Sequence, residues 1–190
     1  IFEGDKNLVQ RINITGNNTT NEEVIRGELL LDEGDPLTKL NLDKSISRIK
    51  SRAIFKDVIY KISDGEKNNL KIIDINVEEQ STGEISAGAG IGTSGGSLAF
   101  GIKENNWLGE GKSIALDVEI NPESLAGYLN YSDPNYDFLG NSLYYSLGSS
   151  KNDKPNQGYE NSVISASVGT SFEQYKNVRV NLGLNASYDE

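Results

Sequence analysis

The sequence predicts a small α+β domain of order β-α-α-β-β, followed by an antiparallel meander of seven strands. Two observations predict it. Up to Gln80, apolar residues recur at both helical and strand spacings. Beyond Gln80 no helical period occurs, and strand-length alternation repeats between clusters of turn residues. Charge divides at the same place: residues 1–80 carry 12 basic and 15 acidic side chains, residues 81–190 only 6 and 13. The expected parts are a linker from an upstream region over residues 1–8, the α+β domain over 9–80 and the meander over 81–190.

In the first part, Leu8–Ile14 alternates and stops at Gly16-Asn17-Asn18, as a strand does before a turn. Thr20 and Glu23 have the spacing of a capping box, in which each side chain would satisfy a free backbone N–H. The short helix that follows turns Val24, Ile25 and Leu29 inward and ends at Glu33-Gly34-Asp35-Pro36. A second helix sets Leu42, Ile46, Ile49 and Ala53 on one face of a 3.6-residue period. Two strands close the unit, Asp57–Ser63 and Leu70–Glu78.

The second part runs Glu84–Thr93, Leu98–Lys103, Ile114–Asn121, Leu125–Ser132, Ser142–Gly148, Ile164–Phe172 and Val178–Ser187. Two architectures fit such a meander. A soluble β-sandwich buries the apolar face; a transmembrane barrel turns it to lipid and the polar face to a wet lumen. Three features favour the barrel. The polar face is built of Ser, Gly, Asn and Asp. Connections alternate between tight turns (Gly109-Glu110-Gly111, Gln174–Asn177) and a long polar loop over Lys151–Asn161. Aromatics (Trp107, Tyr131, Tyr136, Phe138, Phe172, Tyr175) cluster near strand ends, as interfacial girdles do. Seven strands are too few and odd in number, so the meander is expected to be an incomplete barrel. The absence of Met at the start points the same way, to a piece of a longer chain.

Composition narrows the chemistry. The chain has no Cys, His or Met. Disulfides, Cys-based metal sites and a histidine general base are therefore excluded within it. A net charge of −10 without a basic patch argues against nucleic acid. Two motifs overlap in Ile85–Gly96: Gly90–Gly95 spells G-x-G-x-x-G and Gly92–Gly96 spells G-x-S-x-G. The first needs a helix to receive a pyrophosphate and the second needs a strand–turn–helix and a histidine; an alternating strand follows instead. Asp117 and Glu119 share the polar face and are expected to line a lumen rather than catalyse. Pro134, in Tyr131-Ser132-Asp133-Pro134, cannot donate to a ladder and marks a strand end. No enzymatic activity and no cofactor are expected.

Longer stretches carry a resemblance. The segments VQRINITGNNTTNEEVIRGEL (9–29) and SISRIKSRAIFKDVIYKI (45–62) are similar to a POTRA domain. GEISAGAGIGTSGGSLAFGIKENNWLGEGKSI (83–114) and YSDPNYDFLGNSL (131–143) resemble the first hairpin and a later corner of the BamA family of outer-membrane β-barrel assembly proteins. The likeness covers essentially the whole chain, as a last POTRA domain and the first seven barrel strands. One departure is Ala53, at a helix end where the family often has Gly. The resemblance implies assembly and insertion of β-barrel proteins in the bacterial outer membrane, with the POTRA domain in the periplasm. Sister activities of the superfamily are TamA-like or two-partner secretion transport; a passive porin or adhesive β-protein is the reading from another class. The implied partners are unfolded outer-membrane proteins, BamD-like accessory lipoproteins and the lipid bilayer. Glu33 matches a family position that meets an arginine of BamD. The implied client-pairing seam is Ile85, Ser86, Ala87, Gly88, Ala89, Gly90, Ile91 and Gly92. Glycine weakens a strand, and a weakly held edge is easily exchanged for a client strand.

Overall fold

A computed structural model describes residues 7–92, 95–137, 139–154, 158–176 and 178–190. The chain divides into two compact units. The first holds the chain up to Thr82 together with Leu108–Gly111; the second holds Gly83–Trp107 and Lys112–Glu190.

The first unit follows the expected order: β1 (Leu8–Thr15), α1 (Glu22–Arg26), α2 (Lys39–Ser51), β2 (Phe55–Asp64) and β3 (Leu70–Glu79). Its sheet has the order β1-β3-β2, with β1 parallel and β2 antiparallel to the central β3. Alternation explains the core: Ile73, Ile75 and Val77 point to one face of β3 and are buried. On α2, Leu42, Ser45, Ile46 and Ile49 are buried at helical spacing. They close the core with Val9, Ile12, Ile25, Ile54 and Val58. Ser45 is tolerated there because both its capacities are used. Its hydroxyl donates to the Asn41 carbonyl (2.8 Å) and accepts from the Leu30 amide (2.8 Å).

Two helix-end expectations are corrected. The capping box does not form: α1 is capped by Asn21, without a side-chain bond. The Glu79 carboxylate takes the preceding amides instead, from Asn18 (3.0 Å), Thr19 (3.0 Å) and Thr20 (2.7 Å). Burial pushes the Glu79 pKa up, but hydrogen bonds from the Thr20 hydroxyl and these amides outweigh it and hold it below its ordinary value. A depressed folded pKa gives stability that is complete above the unfolded pKa and lost as pH falls through the folded one. Glu79→Gln is therefore expected to cost about 1–2 kcal/mol at neutral pH, converging on wild type in acid. Amide hydrogen exchange at Asn18–Thr20 against pH checks it.

The second correction concerns Ala53. It does not extend the inward face of α2; it is exposed and left-handed, at φ 56°. The helix stops at Ser51 so that the chain can reverse and deliver Ile54 and Phe55 to the core. An alanine at such a helix end carries strain that glycine does not. Ala53→Gly should stabilise the first unit by about 0.5–1 kcal/mol, less the unfolded-state entropy that glycine adds, read as slower hydrogen exchange in α2.

Within the first unit, the turn Leu108–Gly111 is held through its backbone carbonyls by one amide and one guanidinium. The Asn21 amide donates to the Gly109 carbonyl (2.8 Å), and Arg52 Nη2 to the Gly111 carbonyl (2.7 Å). Arg52 also pairs with Glu28 (3.4 Å), which Arg48 meets from its other oxygen (3.0 Å).

The second unit is one antiparallel sheet of seven strands: β4 (Gly83–Gly92), β5 (Gly95–Trp107), β6 (Lys112–Asn121), β7 (Ser124–Asp133), β8 (Ser142–Lys154), β9 (Tyr159–Tyr175) and β10 (Val178–Asp189). Every neighbour in space is a neighbour in sequence, and β4 and β10 are the edges. The register aligns faces across all seven strands. One row reads Ile85, Ile102, Leu116, Leu129, Leu147, Ala166, Ala186; the next, on the opposite face, reads Ser86, Gly101, Asp117, Tyr128, Gly148, Ser165, Ser187.

No described residue of this sheet belongs to the buried apolar cluster. The sandwich alternative is therefore not what these strands form. Their apolar face is open, with Ile164 59% and Leu184 78% exposed. The long loop expected over Lys151–Asn161 is also corrected. The β8–β9 ladder continues through it, pairing Lys151 with Ser162 and Lys154 with Tyr159. Polar composition hid this ladder, which Lys151–Glu160 (2.6 Å) and Asn152–Asn161 (3.0 Å) reinforce across the strands. Of the girdle aromatics, Phe138 lies outside the described residues, as do Asn177 of the Gln174–Asn177 turn and most of the linker.

Candidate functional site

The segment Ile85–Gly92 lies on β4, a ten-residue strand in which every residue is exposed. It pairs with β5 alone: Ile85 with Ile102, Ala87 with Phe100, Ala89 with Leu98, Gly88 with Ala99, Gly90 with Ser97. Ile85, Ala87, Ala89 and Ile91 thus share the apolar face, and Ser86, Gly88, Gly90 and Gly92 the polar one. Ile85 and Ile91 are 85% and 96% exposed, so their side chains gain little from this sheet.

The polar side of the β4–β5 pair holds almost no side-chain packing. Around Gly88 and Gly92 no heavy atom lies within 4 Å of where a Cβ would stand. At Gly90 the nearest is the Ser97 hydroxyl, at 3.0 Å. Gly101, in β5, is different: a Cβ there would meet Ser86 Oγ at 2.5 Å and Asp117 Oδ1 at 2.8 Å. Cross-strand side-chain pairs contribute about 0.2–1 kcal/mol each to a sheet, and β4 forgoes most of them on this face. Among the described residues its outer edge has no partner strand, and an unpaired edge can accept another strand.

Both motif readings of this stretch fail on context. Gly95 opens β5 at φ 106°, and a strand follows it where a phosphate cradle or nucleophile elbow needs a helix. Thr93 and Ser94 lie outside the described residues.

Glu33 sits exposed in the turn after Leu31, and its carboxylate has a task the sequence did not disclose. It accepts the Ile12 amide (3.0 Å), while Arg26 Nη2 donates to the Ile12 carbonyl (3.0 Å). Beside them Val9 exchanges backbone bonds with Asp35 (2.9 Å) and Gly34 (2.7 Å). The outer edge of β1 is thereby closed at Val9 and Ile12. No local signal predicts a contact across 21 residues.

Among the described residues no helix is long and apolar enough to cross a membrane, which says nothing of strands. A single sheet with one apolar and one polar face has the pattern of a barrel wall in lipid.

Comparison with known proteins bears on this arrangement. The family model described as POTRA, surface antigen variable number repeat, matches residues 8–80, and the Omp85 superfamily domain matches residues 106–190. Outer membrane protein assembly factor BamA of Neisseria meningitidis serogroup B is 30% identical over 98% of this chain and 22% of its own length. That of Neorickettsia risticii is 30% identical over 97% and 25%. The chain thus spans about a quarter or less of these relatives. The crystal structure of BamA from Haemophilus ducreyi lacking POTRA domains 1-3 superimposes with a TM-score of 0.83 at 26% identity, covering 98% of this chain and 36% of that one. CdiB from Acinetobacter baumannii, at 16% identity and a TM-score of 0.69 over 98% of this chain and 39% of its own, shares the fold. The family places the POTRA domain in the periplasm and the strands in the outer membrane. With a POTRA unit, an open seven-stranded sheet and these relatives, the chain belongs to the Omp85 superfamily, on its BamA-like side.

Proposed function

We propose that this chain carries the client-pairing seam of a protein that assembles and inserts β-barrel proteins into the outer membrane, with the POTRA domain guiding clients from the periplasm. The observation that supports the reading is the polar face of β4, where Gly88 and Gly92 have no heavy atom within 4 Å of where a Cβ would stand, unlike Gly169 and Gly183. A barrel strand entering a bilayer brings unmet N–H and C=O groups, each costing several kcal/mol in hydrocarbon. The β4 edge offers a full row of partners, and backbone pairing makes little demand on client sequence. Exchange of one backbone ladder for another is near balance, so a strand with few side-chain contacts is the one displaced. Neither bond chemistry nor a cofactor is required.

The bilayer is the second partner, on the face of Ile102, Leu116, Leu129 and Leu147. Unfolded outer-membrane proteins are the clients, and a BamD-like lipoprotein is the accessory, met at Glu33. Since Glu33 also closes the β1 edge, its two roles separate by charge. Glu33→Gln keeps an acceptor for the Ile12 amide, whereas Glu33→Lys repels an arginine partner. Lipoprotein co-purification with the full-length protein should weaken about tenfold or more for Glu33→Lys and fall less for Glu33→Gln. Equal binding by wild type and Glu33→Lys would remove Glu33 from the contact. The seam itself is tested by the variants and crosslinks treated in the Discussion.

A further inference from the structure

The glycines of this sheet differ in what stands over them. In β8, β9 and β10 they are filled by tyrosine rings. Tyr128 is paired directly with Gly148, and a Cβ at Gly148 would stand 3.0 Å from both Cδ1 and Cε1 of that ring. Tyr144 is paired directly with Gly169, where a Cβ would overlap the ring at Cζ and Oη. Gly169 is in turn paired with Gly183, and a Cβ there would lie 2.8 Å from the same Tyr144 oxygen. One side chain of β8 therefore lies flat across β9 and reaches β10. All five residues are on the polar face. In β4 no ring fills them: Gly88, paired with Ala99, and Gly92 have nothing within 4 Å, and Gly90 meets only the Ser97 hydroxyl, at 3.0 Å.

We propose that Tyr128 and Tyr144 pin β7, β8, β9 and β10 into one block through glycine sockets, so that opening of the sheet is confined to its unpinned β4 side. The inference rests on the reading of β4 as the seam and extends it, by naming what keeps the rest of the sheet from opening with it. A ring laid on a glycine restores the packing that the glycine gives up and shields the ladder bonds beneath from water. It also fixes register, because a slip of one residue turns the ring to the opposite face and a slip of two meets a side chain. Tyr144 is 38% and Tyr128 44% exposed, as expected of rings with one face on the sheet and the other open.

The test uses the full-length protein in bilayers and reads amide hydrogen exchange together with client insertion. Tyr144→Ala should speed exchange in β9 and β10 around Gly169 and Gly183 about tenfold or more, with Tyr144→Phe close to wild type because its ring still fills Gly169. Wild-type exchange in Tyr144→Ala would overturn the proposal. The reciprocal variant, Ala99→Tyr, places a ring opposite the empty Gly88. It should slow exchange in β4 and reduce insertion several-fold. Unchanged exchange in β4 of this variant also counts against pinning. Slower exchange with undiminished insertion supports pinning and sinks the seam reading, so the two failures are distinguishable.

Discussion

Replacing Gly88 and Gly92 together by valine should slow client insertion about tenfold while the protein still folds and reaches the membrane. A strand glycine gives up about 0.5–1 kcal/mol against a β-former, through unfolded-chain entropy and missing side-chain contacts. Two replacements therefore hold β4 to β5 more tightly by about 1–2 kcal/mol, or a factor of about 5–30 in the displaced population. Both positions have room for the new side chain, so the change stiffens the strand without breaking it. Gly90 is the poorer target, because its Cβ would press on the Ser97 hydroxyl. Insertion of a model barrel into liposomes by the reconstituted full-length protein reads the effect. Undiminished insertion would mean that β4 is not the strand displaced.

Gly16→Ala should be the most damaging single change in the first unit. Gly16 has φ 92°, and a Cβ there would overlap the Val77 carbonyl oxygen on β3. The left-handed backbone alone costs an L-residue about 1–2 kcal/mol. Moving a backbone carbonyl within the central strand costs about 1–3 kcal/mol more. A domain of this size holds about 4–10 kcal/mol in all, so a loss of about 3 kcal/mol leaves it marginal. Hydrogen exchange across β1 and β3 should rise about a hundredfold for Gly16→Ala. Gly34→Ala is the control, since Gly34 is also left-handed, at φ 99°, but has open space around it. It should show the backbone cost alone.

The alternation of Ile114, Leu116, Val118 and Ile120, and its repeats, made the meander and its faces legible, because a strand has only one side-chain period. The core face of α2 was legible for the corresponding reason, up to Ser51. What escaped was long-range competition. Thr20 has the right neighbour for a capping box, yet Glu79, 59 residues away, claims its amide. Ala53 fits the helical period, yet the turn into Ile54 needs a left-handed residue there. Lys151–Lys154 has the composition of a loop and is a ladder, because strand ends beyond the apolar band need no hydrophobic alternation. In the candidate site, Gly88 and Gly92 are glycines in the sequence just as Gly169 and Gly183 are. Only the placement of Tyr144 separates an empty socket from a filled one.

The most direct test of the seam is site-specific photocrosslinking from β4. A photoreactive residue is placed in turn at Ile85, Ala87, Ala89 and Ile91 of the full-length protein, and a client is stalled during insertion. Strand addition predicts adducts at all four positions, with the crosslinked client residue shifting by two for each step of two along β4, opposite in sign for an antiparallel client. Absence of adducts on β4, with the stalled client crosslinking only to exposed POTRA positions such as Ile59 on β2, would contradict templating by this strand.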